Sequence, residues 1–315
     1  VYTPVEVVDF IINSVGFILK KEFGRSLSDE NVHILDPFTG TGTFITRLLQ
    51  SGQISRAALE RKYGKEIHAN EIVLMAYYIA SINIENVFHD LIGPDAKYKP
   101  FDGICLTDTF QLGEDLEHDN ESRAALEEIF PANSQRVKRQ RKKRITVIIG
   151  NPPYSIGQKS ANDNAQNQSY PILESRIENS YVAKSNASLN KSTYDSYIKA
   201  FRWASDRLDK NEGGIIAYIT NGNWLENNGL DGFRQCLIDE FSSIYVFNLR
   251  GAVRGRTGDL AKREGQNVFD IMTGVAITIL IKKPTSNSKA QIFYRDVGDY
   301  LSRTEKLRTI SDLSN

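Results

Sequence analysis

Residues 32–44 read VHILDPFTGTGTF. A β-prone apolar run from Val32 to Leu35 reaches Asp36 and is halted by Pro37, which has no N–H to continue a sheet ladder. Gly40 and Gly42 then permit positive φ and a close approach of bare backbone to anything bound above the turn. From Thr43 the pattern changes, because TFITRLLQSG carries apolar residues at helical spacing with Gly52 near its end. The stretch is a strand, a glycine-rich turn and a helix, with the helix N-terminus offered to a ligand at the strand's carboxyl end. It is not a phosphate loop, since no Gly-Lys-Ser/Thr follows, and it lacks the three-glycine dinucleotide fingerprint. A tight βα turn with nothing bound is the plain alternative.

Outward from this unit the same alternation repeats. Helical spacing runs through 5–23, 73–88, 194–209 and 229–241, and β-rich runs through 66–72, 101–110, 144–154, 213–225, 244–249 and 274–283. With 32–38 these give seven strands, most of them connected by helices. The expected fold is α/β, a Rossmann-like, seven-stranded, mostly parallel sheet with helices on both faces. Three segments break the rhythm. Residues 114–128 are acidic, residues 136–144 (RVKRQRKKR) carry seven basic side chains in nine, and 155–192 is rich in Asn, Ser and Gln. The last composition cannot build a core and reads as a long loop or partly ordered insertion.

The 315 residues are 40% hydrophobic and 25% charged, an ordinary globular balance with ample material for a core. No apolar run is long enough to span a bilayer. The formal charge is zero, so a nucleic-acid partner would have to be held by local basic patches or by other parts of a parent chain. The first residue is Val1 and no signal-peptide pattern follows, which suggests a piece of a longer polypeptide. Cys105 and Cys236 stand apart with no metal-ligand spacing, as structural thiols in a reducing cytoplasm would.

The ends of the strands carry the chemistry. The second ends at Asn70-Glu71, where a carboxylate can accept from both hydroxyls of a ribose, or simply be solvated. The third ends at Asp108, Thr109 and Phe110, an acceptor for an exocyclic amine with a ring to cover the base. The fourth, VIIGNPPYS (147–155), delivers Asn151, Pro152, Pro153 and Tyr154 to the same edge. Two prolines cannot continue a central strand, so an amide and an aromatic ring are held at the sheet's mouth. Ligands of open α/β sheets bind along such carboxyl ends.

With this order of elements, DPFTGTGTF, Glu71, Asp108 and above all NPPY, the chain resembles the S-adenosylmethionine-dependent amino methyltransferases that act on N6 of adenine in DNA. YTP (2–4) and its helix precede the glycine loop, and the loop precedes NPPY, as in the gamma-type arrangement. The further run to IFYRDVGDYLSRTEKL (292–307) is similar to the methyltransferase portion of single-chain Type ISP restriction-modification enzymes. The resemblance implies a class I methyltransferase domain over 1–285, with the polar insertion 155–192, and a linker or the start of a target-recognition region over 286–315. It implies S-adenosyl-L-methionine as cofactor, double-stranded DNA as substrate, and covalently linked helicase, nuclease and target-recognition regions in a cytoplasmic parent chain of a bacterium or archaeon. Neither a membrane nor a metal for the methyl transfer is implied. By position, Thr3 would touch the methionine end of the cofactor. Asp36, Phe38, Thr39, Gly40 and Gly42 would line it, Glu71 would hold its ribose, and Asp108, Thr109 and Phe110 its adenine. Phe269, in NVFDIMTGVAITIL (267–280), would meet the flipped base, or else be a core residue beside a strand.

Adenine N6 is a poor nucleophile because its lone pair is delocalised into the ring. The Asn151 side-chain carbonyl and the Pro152 backbone carbonyl can each accept one N6 hydrogen, drawing the nitrogen towards sp³. The prolines hold both acceptors in place before reaction. Tyr154 offers a face for the extruded base. A protein-glutamine or RNA-adenine methyltransferase is the alternative, since an amide nitrogen poses the same problem. A non-catalytic DNA-binding module with a decayed site is a third reading. The basic run 136–144 is either a phosphate contact or a solvated linker.

Overall fold

The computed structural model describes residues 2–114, 129–153, 169–187, 191–253, 257–284 and 289–314. One eight-stranded sheet runs through it in the order β3-β2-β1-β4-β5-β7-β6-β8. The strands are β1 His33–Asp36, β2 Ile67–Glu71, β3 Ile104–Leu106, β4 Ile145–Gly150, β5 Gly214–Asn221, β6 Ser243–Arg250, β7 Val275–Lys282 and β8 Gln291–Asp296. Every neighbouring pair is parallel except the two made by β7, which lies antiparallel between β5 and β6.

Period-two burial divides the side chains between two cores. Ile34, Val147, Ile149, Ile215 and Ala217 face helices α1 (Val5–Phe23), α2 (Thr43–Gln50) and α4 (Leu74–Ile92), whereas Leu35, Ile148, Ile216 and Tyr218 face the other way. The second core is closed by α6 (Pro171–Ile177), α7 (Ser196–Arg207) and α8 (Asp231–Glu240). The remaining helices are α3 (Arg56–Arg61), α5 (Pro131–Arg141), α9 (Gly258–Arg263) and α10 (Arg303–Ser314). Helix α1 shows why sequence and fold agree. Val7, Val8, Ile11, Ile12, Val15, Ile18 and Leu19 repeat at three- and four-residue spacing and are all buried, and Gly24 ends the helix at φ 64°.

The expected sheet had seven strands; it has eight. Strand β8 pairs parallel with β6 from Ser243↔Gln291 to Asn248↔Asp296, within the stretch expected as a linker or the start of a target-recognition region. It is an edge strand with Ile292, Phe293 and Tyr294 all exposed, so no alternation of apolar and polar residues announces it. Helix α10 then returns across α1, where the Asn13 Nδ2 donates to Ser314 Oγ at 2.9 Å. The basic run lies largely on α5: Arg141 donates to the Leu112 carbonyl and Arg136 to the Tyr77 hydroxyl. Of the polar insertion, 169–187 and 191–192 are described and include α6, while the rest of the acidic segment after Glu114 lies outside the described residues. Both cysteines are free and buried.

Candidate active site

The carboxyl ends of β1, β2, β3 and β4 lie side by side, and hydrogen bonds join polar groups at the first three. Asp36, at the end of β1, is wholly buried. Its Oδ1 accepts the Phe38 N–H at 3.1 Å, and its Oδ2 has no partner among the described residues. Burial pushes this carboxyl up to about 8; the Phe38 N–H opposes the shift and the nearby Glu71 charge adds to it.

The glycine turn is held from β2. Thr39 N–H donates to the Asn70 carbonyl at 3.0 Å, and Gly40 N–H, at φ 57°, donates to Glu71 Oε2 at 2.7 Å. Glu71 Oε1 accepts the Val73 N–H at 2.7 Å, so backbone donors hold both carboxylate oxygens in place at the end of β2. Burial raises the Glu71 carboxyl, and those backbone N–H groups resist the rise. Gly42 sits at φ 90°, and a Cβ there would lie 3.3 Å from Ala80 Cα of α4. A Cβ on Gly40 would meet nothing within 4 Å. One glycine thus lets the turn pack on its helix, while the other leaves an open cradle.

At the end of β3, Asp108 Oδ1 accepts the Phe110 N–H at 2.9 Å and Oδ2 accepts the Tyr170 hydroxyl at 2.7 Å. Burial raises its pKa, against the pull of those two donors, the Gln111 N–H and the positive charge of Lys199. Thr109 joins three strand ends: its Oγ1 donates to the Pro37 carbonyl at 2.5 Å and accepts from Asn70 Nδ2 at 3.2 Å. The Phe38 and Phe110 rings stand 5.6 Å apart at 59°, forming an aromatic wall that continues to Tyr218.

Strand β4 brings Gly150 so close to β1 that a Cβ would lie 2.9 Å from Asp36 Oδ1. The next residue, Asn151, donates from Nδ2 to Thr3 Oγ1 at 3.1 Å, and its Oδ1 is buried without a partner among the described residues. Pro152 is buried and Pro153 exposed; Tyr154 lies outside the described residues. Phe269 is 6% exposed and belongs to the apolar core, its N–H bound to Asn267 Oδ1. Among the described residues no hydrogen bond or ring contact joins it to the other expected positions. The structure therefore joins Asp36, Thr39, Gly40, Glu71 and Thr109 through hydrogen bonds across three strand ends, with Asp108 next to Thr109 in the chain, and pairs Asn151 with Thr3 at the neighbouring end of β4.

Sequence reasoning passed over four residues here. Asn70 is fully buried and ties the turn to β3, and Gly150 gives Asp36 its room. The Tyr218 ring extends the aromatic wall, and Tyr170 reaches Asp108 from a stretch read as polar insertion. The available signal for Tyr170 was Pro171, which suits the first position of a helix. Among the described residues, Asp36 Oδ2, Asn70 Oδ1, Asn151 Oδ1 and the Tyr218 hydroxyl are buried without a hydrogen-bond partner, and the Asp36 and Asn151 oxygens suit a polar, cationic ligand with a donor group beside it. The open cradle at Gly40 and the two acidic strand ends suit a nucleoside.

Residues 63–253 match the family described as Eco57I restriction-modification methylase. The chain is 48% identical to the ATP-dependent Type ISP restriction-modification enzyme LlaBIII, solved bound to DNA, with a TM-score of 0.91 over 100% of this chain and 21% of that one. It is 46% identical to a nuclease-deletion mutant of the Type ISP enzyme LlaGI, solved with a DNA substrate mimic, with a TM-score of 0.90 over 99% of this chain and 25% of that one. The chain thus spans a quarter or less of these two relatives. The M protein of the type I restriction enzyme EcoKI shares the fold at 14% identity, with a TM-score of 0.51 over 94% of this chain and 48% of that one. No curated protein matches the chain. The sheet, with its reversed β7, is that of the class I methyltransferases, and the chain belongs to the Eco57I restriction-modification methylase family.

Proposed function

We propose that the chain transfers the methyl group of S-adenosyl-L-methionine to N6 of an adenine turned out of duplex DNA, as the modification part of a longer restriction-modification enzyme. The observation that carries this is the Asn151 amide. It stands at the end of β4, one residue from the glycine that abuts Asp36, with its oxygen buried and without a partner among the described residues.

When bound, the cofactor supplies an electrophilic methyl group on a positively charged sulfur. Asn151 Oδ1 and the Pro152 carbonyl accept the two N6 hydrogens, which localises the nitrogen lone pair and aims it at that methyl. Both acceptors are preorganised, so no reorientation is needed as charge develops on the amine. Neither has to remove a proton first, because the methylated nitrogen loses one readily. Asp36, Glu71 and Asp108 hold the cofactor's cationic end, ribose and adenine respectively. Tyr154 stacks on the extruded base and offsets part of an unstacking cost of a few kcal/mol. The match to two Type ISP enzymes, each a far longer chain solved with DNA or a DNA mimic, supports linked nuclease, helicase and target-recognition regions in the parent chain.

The test is Asn151→Ala in the parent chain, offered labelled cofactor with duplex DNA, RNA and a glutamine-containing peptide. The wild type should label DNA alone, at adenine N6. The variant should lose at least about 100-fold in rate, as removal of a preorganised donor or acceptor typically does, and still bind cofactor. Near wild-type transfer by the variant, or labelling of RNA or peptide in preference to DNA, overturns the reading.

A further inference from the structure

Tyr170 is tied to Asp108 more firmly than a loop side chain would be. It is 4% exposed, and its hydroxyl donates to Asp108 Oδ2 at 2.7 Å. Its ring meets Phe110 edge-on at 5.3 Å, and Lys199 Nζ sits 5.2 Å from the ring centroid. Lys199 is itself held by Glu174, at 2.6 Å. Immediately after Tyr170, the Ile172 and Leu173 N–H groups donate to the Glu114 carboxylate at 2.9 and 3.0 Å. The phenol is thus fixed from the β3 side and from α7, and only one rotor, the O–H, is left to serve Asp108.

We propose that Tyr170 is a positioning residue that makes Asp108 selective for the 6-amino group of the cofactor's adenine. The proposal rests on the reading of Asp108 as the acceptor for that adenine. An ionised carboxylate only accepts hydrogen bonds, which matches an amine that donates. A protonated carboxyl also donates, and so tolerates a 6-oxo purine. Burial favours the protonated form, and an O–H donor opposes this by binding the charged one. Tyr170 therefore sets which purine the site accepts, and it does so from the chain segment that follows the catalytic turn rather than from the glycine loop or the strand ends.

Calorimetric titration of the whole chain with S-adenosylhomocysteine and its 6-oxo counterpart, S-inosylhomocysteine, tests this. The wild type should prefer the amino form. Tyr170→Phe should weaken S-adenosylhomocysteine roughly 10-fold, the usual effect of losing a bond to a charged group, and move the 6-oxo form by less than about 2-fold. Amino-form affinity in the variant should also fail at higher pH on acidification than in the wild type, because Asp108 has lost a donor. An unchanged preference, or equal loss for both ligands, makes Tyr170 a packing residue and overturns the proposal. Asp108→Ala separates the two levels. If it keeps the wild-type preference, the assignment of Asp108 fails and takes the proposal with it. If it abolishes the preference while Tyr170→Phe retains it, only the role of Tyr170 fails.

Discussion

The Asn151 amide can face either way, and its chemistry depends on which way it faces. An amide NH₂ turned to the substrate amine would repel it, whereas the oxygen accepts from it. Thr3 Oγ1 takes the Nδ2 hydrogen and so leaves Oδ1 towards the site. Thr3 was expected to touch the methionine end of the cofactor; its observed bond adds an orienting part. Thr3→Val keeps the shape and removes the acceptor, which leaves the Nδ2 unpaired. The methyl-transfer rate at saturating cofactor should fall roughly 10-fold, the effect of a buried amide losing its partner, with a smaller change in cofactor affinity. Thr3→Ser should restore most of the rate. If Thr3→Val instead loses affinity alone, Thr3 acts on the cofactor and not on Asn151. The spacing of motifs could not reveal this pair, because Thr3 and Asn151 meet only through the packing of α1 on the sheet.

At the scale of elements, the glycine turn shows two kinds of demand in one motif. Gly42 combines φ 90° with a helix backbone 3.3 Å from where its Cβ would lie, and Gly40 has φ 57° with open space above it. Gly42→Ala should cost about 2–4 kcal/mol in denaturant unfolding, since backbone strain and overpacking add. Gly40→Ala should cost only about 1 kcal/mol, the left-handed penalty for a residue with a Cβ, while weakening cofactor binding by filling the cradle. Equal costs would mean that α4 yields to the new methyl. This motif was legible because backbone rules fix where glycine is needed. Most of the strands that frame it were legible for a similar reason: buried strands read as continuous apolar runs bounded by turns, as β1 and β4 do. The eighth was not, because Ile292, Phe293 and Tyr294 follow one another and are all exposed, so β8 shows no alternation of apolar and polar residues. Helix α6 was hidden by composition, since its neighbourhood is polar and only Leu173 and Ile177 are buried on it. Tyr170, at its start, was lost with it.

Across the whole molecule, two sets of buried titratable groups push stability in opposite directions with pH. On adjacent strands, His33 Nδ1 and His68 Nε2 lie 3.0 Å apart, so one ring donates an N–H to the other. Burial lowers both rings, His33 to about 4 against the pull of Glu66, and His68 well below its ordinary value. Between pH 6.5 and 4 the unfolded chain binds protons at these histidines that the folded one does not, so their contribution to stability is present above 6.5 and is lost on acidification. Asp36 acts the other way. Its carboxyl stays protonated in the folded state up to about 8, whereas in the unfolded chain it ionises above about 3.8. Its contribution is therefore fully present below 3.8 and is lost as pH rises towards 8. Asp36→Asn removes that titration while keeping an acceptor for the Phe38 N–H. The variant should be more stable than the wild type at pH 7, by an amount on the order of 2–4 kcal/mol from linkage. The difference should shrink towards pH 4, and the acid-side loss should be steeper in the variant because Asp36 no longer opposes the histidines. Urea unfolding at half-unit intervals from pH 4 to 8 reads both slopes. Parallel curves for the two proteins would show that Asp36 is ionised in the folded state, and the charge it then carries would have to be balanced within the glycine loop.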